Sequence, residues 1–236
     1  MSQVTCVVPA RLASSRFPNK PLALILGQSM IVRTLQQASK VKGFSKVICA
    51  TEDVEIYKLV KAHGFEAILT PNTFLTGSDR VAWVADQLAL EWVINLQGDE
   101  PLIDIDLLEE MALTLPKNKN CWLTSACPLL PEWENLASVV KVKVSESGDV
   151  LAFARENQKK EDWYRHTGVY GYHANQLHLF KKTAPSIEEL QNSLEQLRVF
   201  PKTPIKAVLH QKLSHSVDVP GDIERVEEYL KELAAI

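Results

Sequence analysis

Midway through the chain, Val93-Ile94-Asn95-Leu96-Gln97-Gly98-Asp99-Glu100-Pro101 passes from a short apolar run into Gly, two carboxylates and Pro. The apolar half has the length and composition of a buried strand, and Gly-Asp-Glu-Pro stops a strand and turns the chain. Open α/β sheets place their ligands at the carboxyl ends of such strands. A carboxylate there is desolvated at a cost unless a cation or hydrogen-bond donors meet it. Asp99 is therefore expected to face a cation, with a divalent metal the working choice. Alternation carried on from the strand sets Gln97 and Asp99 on one side and Glu100 on the other.

The segments before this stretch alternate strand and helix. Val4-Thr5-Cys6-Val7-Val8, ended by Pro9, reads as a first strand; residues 46–51 and 66–70 read as the next two. Apolar spacing predicts helices over 30–41, capped by Ser29, and over 52–63, with Gly64 just past its end. This β-α-β-α-β series builds a parallel sheet through right-handed crossovers. A further helix follows Asp104. Past residue 120 the pattern turns antiparallel: a strand at 122–128, a hairpin of 139–145 and 149–154 about Glu146-Ser147-Gly148, and a strand at 165–173. Ser186-Ile187-Glu188-Glu189 has capping-box form ahead of a helix carrying Leu190, Leu194 and Leu197 and ending at Arg198. A strand at 205–210 and a last helix with Ile223, Val226, Leu230 and Leu233 on one stripe complete the chain. No linker or repeat divides it, so the expectation is one α/β domain over 1–236, its sheet mainly parallel, with an antiparallel sub-domain in the second half.

Four segments carry chemistry. After the first strand come Pro9, Ala10 and a loop with the cations Arg11, Arg16 and Lys20. Such a loop either wraps a polyphosphate or is a solvated basic loop; neither GxxxxGK[ST] nor GxGxxG is present. Thr76-Gly77-Ser78-Asp79 leads into Arg80 and a helix, and offers N–H groups and hydroxyls to an anion or base edge, or simply an N-cap by Ser78 or Asp79. His166 shares a strand face with Gly168, Tyr170 and Tyr172, either as a ligand wall or as a structural histidine. Asp218 stands in a turn before the last helix. Residues 155–163 are charged and read as an exposed excursion.

Composition narrows the classes. A net charge of -3 and a pI near 6.1 argue against a surface that coats nucleic acid. No apolar run approaches the roughly 20 residues that span a bilayer. Met1-Ser2-Gln3 opens no secretory signal, and Cys6, Cys49, Cys121 and Cys127 lack metal or disulfide spacing. Buried thiols in a cytoplasmic protein are expected.

In register, these segments resemble the CMP-Kdo synthetases (3-deoxy-manno-octulosonate cytidylyltransferases) over nearly the whole chain. The matching blocks are Pro9-Ala10-Arg11 with Ser15-Arg16-Phe17-Pro18 and Lys20-Pro21; Ala50-Thr51-Glu52-Asp53; Thr76-Gly77-Ser78-Asp79-Arg80; Gln97-Gly98-Asp99-Glu100-Pro101; His166-Thr167-Gly168-Val169-Tyr170-Gly171-Tyr172; Leu194-Glu195-Gln196-Leu197-Arg198; and Val217-Asp218 with Pro220. The resemblance implies a three-layer, Rossmann-like nucleotide-diphospho-sugar transferase fold. It implies a reaction of CTP with Kdo giving CMP-Kdo and pyrophosphate, in lipopolysaccharide biosynthesis. Mg²⁺ would be held by Asp99 and Asp218. Arg11 and Lys20, with Arg16, would neutralise the triphosphate, and Pro9, Ala10, Thr76, Gly77, Ser78 and Arg80 would complete the nucleotide site. Gln97, Arg155, His166, Tyr170, Glu195, Gln196 and Arg198 would line the sugar site, with Arg or His meeting the sugar carboxylate. A homodimer is implied, with no nucleic-acid or membrane partner.

Two departures stand out. Asn19 replaces the glycine usual before the lysine, and asparagine tolerates a left-handed backbone there. After Arg155 the chain reads Glu156-Asn157-Gln158-Lys159-Lys160 in place of the usual Ile-Pro pair. The acceptor is then Kdo or a related ulosonic acid, of the 8-amino or sialic-acid type. A non-catalytic nucleotide-binding protein on the same scaffold is the alternative outside enzymes.

Overall fold

The computed structural model describes residues 3–13, 16–156, 163–213 and 215–234. Most of the expected excursion after Arg155, and Ser14 and Ser15 of the basic loop, lie outside the described residues. The first half contains β1 (Val4–Ala10), the short pair β2 (Leu24–Ile25) and β3 (Gln28–Ser29), α1 (Met30–Ala38), β4 (Phe44–Thr51), α2 (Val54–Ala62), β5 (Glu66–Leu69), α3 (Gly77–Gln87), β6 (Trp92–Leu96) and α4 (Ile105–Thr114). The second half contains β7 (Trp122–Pro128), β8 (Lys141–Val144), β9 (Val150–Ala154), β10 (Trp163–His173), α5 (Ala174–Lys182), α6 (Ile187–Asn192), β11 (Ile205–Leu209) and α7 (Asp222–Ala234).

Among the described residues one nine-stranded sheet runs β11-β7-β10-β6-β1-β4-β5, with β8 attached to β10 and β9 to β8. β1 pairs in parallel with β4 and β6, and β4 with β5. β10 enters antiparallel between β6 and β7. The expected change from parallel to antiparallel pairing is thus present, and it lies beside the strand that leads to Asp99.

Strand alternation builds the layers. Cys6 and Val8 of β1 and Ile94 and Leu96 of β6 face α1, α2 and α4, through Ile31, Leu35, Ile56, Val60, Leu107 and Met111. Val7 and Val93 face the opposite way, toward Val81, Val84, Leu177 and Phe180 of α3 and α5. Trp122 is fully buried there, its ring edge-on to Tyr172 at 4.6 Å. Removing such a ring costs about 3–5 kcal/mol. All four cysteines are free and buried, and burial pushes the Cys49 thiol up to about 12.

Three local expectations are corrected. Ser29 gives no side-chain cap to α1, and its hydroxyl is buried without a partner among the described residues. Thr76, rather than Ser78 or Asp79, caps α3: its hydroxyl accepts from Asp79 N–H while the Asp79 carboxylate accepts from Thr76 N–H (both 3.1 Å). The capping box at Ser186 is present, but the helix stops at Asn192. Ser193 takes a left-handed conformation (φ 51°), and a separate 3-10 turn follows over Glu195–Arg198.

Candidate active site

β4 and β5 lie on one side of β1 and β6 on the other, so the strand order reverses between β1 and β6. Ligands bind outside the carboxyl ends of strands at such a point. A cavity of ≈ 660 Å³ opens there. It is lined by Pro9, Ala10 and Arg11 after β1, by Arg16 and Lys20, by Thr76 and Gly77, by Gln97 and Asp99, and by Asp218. His166, Tyr170, Glu195 and Gln196 form a second wall, and Arg155 stands within electrostatic reach of both Tyr170 and the Arg16–Asp218 pair. Ser78, Arg80 and Arg198 are not among its lining residues.

At one end, charges of both signs meet. Lys20 Nζ pairs with Asp99 Oδ2 and donates to the Val217 carbonyl at 3.0 Å. Val217 N–H donates to the Asp99 carbonyl, also at 3.0 Å, so the segment carrying Asp218 is stitched to the turn after β6. Arg16 lies 3.5 Å from Asp218. Burial raises the Asp218 carboxyl above its ordinary range and the neighbouring Asp99 raises it further, against the pull of Lys20 and Arg16. Asp222 steadies the turn by accepting from Asp218 N–H (2.7 Å) and Val219 N–H (2.9 Å). β6 ends at Leu96, so strand alternation does not govern the two acids, and the expected split between them is corrected: Glu100, 3% exposed, lines the same cavity as Asp99, which pairs with Lys20.

The basic loop is held from both ends. Asn19 adopts the left-handed conformation expected of it (φ 57°), its N–H donating to the Leu12 carbonyl at 3.2 Å. The 3-10 turn over Lys20–Leu22 starts there and fixes the root of Lys20. Leu12 N–H donates to Asp53 Oδ2 at 2.8 Å. Asp53 therefore braces the loop, a contact between distant segments for which the sequence carries no local signal.

The predicted residues outside the cavity are held by buried partners. Arg80 is buried against Glu52 and the Thr70 hydroxyl, with its guanidinium 5.7 Å from the Phe74 ring centre. The Ser78 hydroxyl meets Tyr172 OH at 2.7 Å and accepts from Asn95 Nδ2 at 3.2 Å, while Ser78 N–H donates to Glu195 Oε2 at 2.9 Å. Burial raises the Glu195 carboxyl, and the Ser78 bonds draw it back. Arg198 bridges Glu189 (2.7 and 2.9 Å) and Asp79, and stacks 3.9 Å from the Phe180 ring centre. These bonds join the first turn of α3 to the 195–198 turn, so the two sides of the cavity share one buried frame.

On the second wall, Gly168 packs against Gln97: an added Cβ would lie 2.9 Å from Gln97 Cγ. Gly77 is nearly as close, 3.2 Å from Gln97 Nε2, so the two glycines make room for that side chain. Tyr170 OH donates to Gln196 Oε1 at 2.9 Å, and Gln196 Nε2 has no partner among the described residues. Arg155 donates to the backbone carbonyls of Asn192, Ala137 (3.1 Å) and Ser193 (3.2 Å), and so ties the wall together. Arg165, unforeseen as a site residue, also lines the cavity, stacked 4.5 Å from the Trp133 ring centre and donating to Ser216 Oγ at 2.9 Å. Its only local signal was a cation at the start of the His166 strand.

This geometry has relatives. The family profile described as Cytidylyltransferase matches residues 5–208. A 3-deoxy-manno-octulosonate cytidylyltransferase of Polynucleobacter necessarius subsp. necessarius is 36% identical, covering 95% of this chain and 94% of that protein. One from Geobacter metallireducens is 34% identical, covering 97% and 98%. A solved CMP:2-keto-3-deoxy-manno-octonic acid synthetase complexed with CTP superposes with a TM-score of 0.90 at 31% identity, covering 98% of this chain and 99% of that one. This chain therefore belongs to the cytidylyltransferase family, among the 3-deoxy-manno-octulosonate cytidylyltransferases, or CMP-Kdo synthetases.

Proposed function

We propose that this protein transfers CMP from CTP to the anomeric hydroxyl of Kdo, or of a close ulosonic-acid analogue, and releases pyrophosphate. The observation that carries this reading is the meeting of Asp99 and Asp218 with Lys20 and Arg16 at one end of a cleft whose other end is a buried hydrogen-bonding wall. The first end suits a triphosphate and the second a polyhydroxylated acid. The names of the relatives and the CTP complex of the solved neighbour support the same reaction.

The hydroxyl oxygen attacks the α-phosphorus in line with the leaving pyrophosphate; its proton departs and the bond to the β-phosphate oxygen breaks. Positioning and charge stabilisation carry most of such a transfer. Asp99 and Asp218 would hold Mg²⁺, and a mutually repelling carboxylate pair fits a hard cation that completes its shell with phosphate oxygens and water. When bound, Mg²⁺ supplies charge neutralisation and lowers the pKa of the attacking hydroxyl. Lys20 and Arg11 neutralise the triphosphate, helped by Arg16. Thr76 and Gly77 face the nucleotide; Gln97, Tyr170, Gln196 and Glu195 orient the sugar. Ser78, Arg80 and Arg198 act through the frame behind them. The same reading makes the enzyme a cytoplasmic homodimer serving lipopolysaccharide biosynthesis. No helix among the described residues is long and apolar enough to cross a membrane.

The test is pyrophosphate release by the purified protein from CTP and Mg²⁺, with Kdo, 8-amino-Kdo and a sialic acid compared. Release is expected with a Kdo-type acceptor. No release with any acceptor overturns the reading.

A further inference from the structure

Against β7, strand β10 loses register between Thr167 and Tyr170: Thr167 lies opposite Ser125 and Tyr170 opposite Thr124, with Gly168 and Val169 unmatched between them. Bulges of this kind interrupt the ladder and re-aim side chains, often beside active sites. Thr124 sits at this bulge, fully buried, and its hydroxyl reaches the Val169 carbonyl at 3.0 Å. The same oxygen lies 2.8 Å from His166 Nε2.

These two contacts fix a proton. A threonine hydroxyl has one hydrogen, and a carbonyl only accepts. The hydrogen therefore lies toward Val169, and the Nε2 contact is a hydrogen bond only if Nε2 carries the proton. Were the hydroxyl to donate to Nε2 instead, two acceptor oxygens would be left 3.0 Å apart in a buried place. His166 is then the Nε2–H tautomer, and Nδ1 keeps its lone pair. Nδ1 has no partner among the described residues, and it is not sealed in the interior as both ring nitrogens of His210 are. The ring forms part of the cavity wall. Phe153 stands edge-on to it at 5.4 Å and Tyr170 flanks it at 5.4 Å, which holds its plane. Burial, with Arg165 and Arg155 nearby, pulls the imidazole down to about 3, so the ring is neutral near pH 7.

We infer that Thr124 is a positioning residue that fixes His166 as a hydrogen-bond acceptor, so that this wall takes a donor group of the acceptor sugar, a hydroxyl or an ammonium, and turns away its carboxylate. A carboxylate offers only lone pairs and would meet the lone pair of Nδ1. The carboxylate falls instead to the cationic part of the wall, where Arg155 and Arg165 lie. The inference rests on the reading that the sugar occupies this end of the cleft, and it reverses one expectation from the sequence, that His166 could meet the carboxylate.

Long-range 1H–15N correlation spectra of the ligand-free protein at pH 7.5, with the His166 signals assigned by loss in His166→Gln, read the tautomer with no substrate present. The expected pattern is protonated Nε2 and bare Nδ1, kept in Thr124→Ser and lost in Thr124→Val. Thr124→Val should raise KM for the sugar roughly tenfold, the size of one neutral hydrogen bond, with KM for CTP unchanged and Thr124→Ser restored toward the unaltered protein. A bare Nε2 or an imidazolium in the unaltered protein overturns the inference, even if Thr124→Val does not fold. So does an unchanged sugar KM in a Thr124→Val protein whose tautomer has changed. Absence of turnover by the unaltered protein with every ulosonic acid removes the sugar from this wall and overturns the inference through its premise, a failure separable from a wrong tautomer because the spectrum is read without substrate.

Discussion

At the end of the cleft near β1 and β6, charges stay partly in water: the Arg16 side chain is 59% exposed and that of Asp218 33%. At the other end His166, Tyr170 and Gln196 are buried and neutral, and each is tied to a fixed partner. Half-solvated ions exchange one partner for another cheaply, because water screens both states. Under the proposed reaction, that suits the Arg16–Asp218 pair, which would open for phosphate oxygens. A buried neutral wall keeps its hydrogen-bond directions and rejects a ligand that leaves them unpaired. The contrast separates a surface that stabilises charge from one that selects shape.

The largest expected effect probes the frame under the selective wall. Arg198→Met should lower unfolding free energy by about 3–5 kcal/mol, since it strands the carboxylates of Glu189 and Asp79. Urea denaturation measures it, and a loss under about 1 kcal/mol would mean that the wall is held by packing alone. Next, Asp99→Asn should reduce Mg²⁺-dependent turnover at least ~100-fold, as loss of a main electrostatic stabiliser does. Near-normal turnover in that variant would erase the distinction between the two ends. Tyr170→Phe is a smaller change. It leaves Gln196 Oε1 buried without its donor and should cost about 1–3 kcal/mol in stability, together with a higher KM for the sugar but not for CTP.

The smallest effect is a pH dependence. Burial holds His166, His173, His210 and His215 below the ordinary imidazole value. In the unfolded chain they bind protons near pH 6.5, while the folded chain resists, so stability is full above about pH 6.5 and falls as the pH drops. For His166, held at about 3, the slope approaches about 1.4 kcal/mol per pH unit over that window. Denaturation midpoints measured from pH 7.5 to 5 test this, and His166→Gln should flatten the curve.

Much of the charged end was legible because each of its residues sits in a short segment with a local mark. A strand, a stop and an acid identify Asp99, and an asparagine before Lys20 announces the left-handed turn that Asn19 makes. Ser78, Arg80 and Arg198 show the limit of such reading. They sit in motif blocks, but a block does not say whether a side chain meets the ligand or braces the residue that does. The break at Ser193 had no local signal either: a serine with positive φ is imposed by the tertiary contacts around it, among them the Arg155 bond to its carbonyl. Arg165 depends on Trp133 and Ser216, each far from it in the chain. Both ends are assembled by long-range contacts, Lys20 reaching Asp99 and Val217 at one and Arg165 reaching Ser216 at the other; what differs is that the residues of the charged end each carry a local mark in the sequence.

The position of β10 also bears on how the chain survives its own synthesis. β6 has β1 on one side, made long before it, but its other side stays open until residue 173 has been added. Until then an apolar edge through Val93 and Ile94 lies bare, a template on which another chain can pair. A fragment that ends before β10 is expected to self-associate, and analytical ultracentrifugation showing it monomeric would refute this. The strand that shields this edge is also the one that brings His166 and Tyr170 to the cavity, ahead of the Glu195–Arg198 turn that adds the rest of that wall.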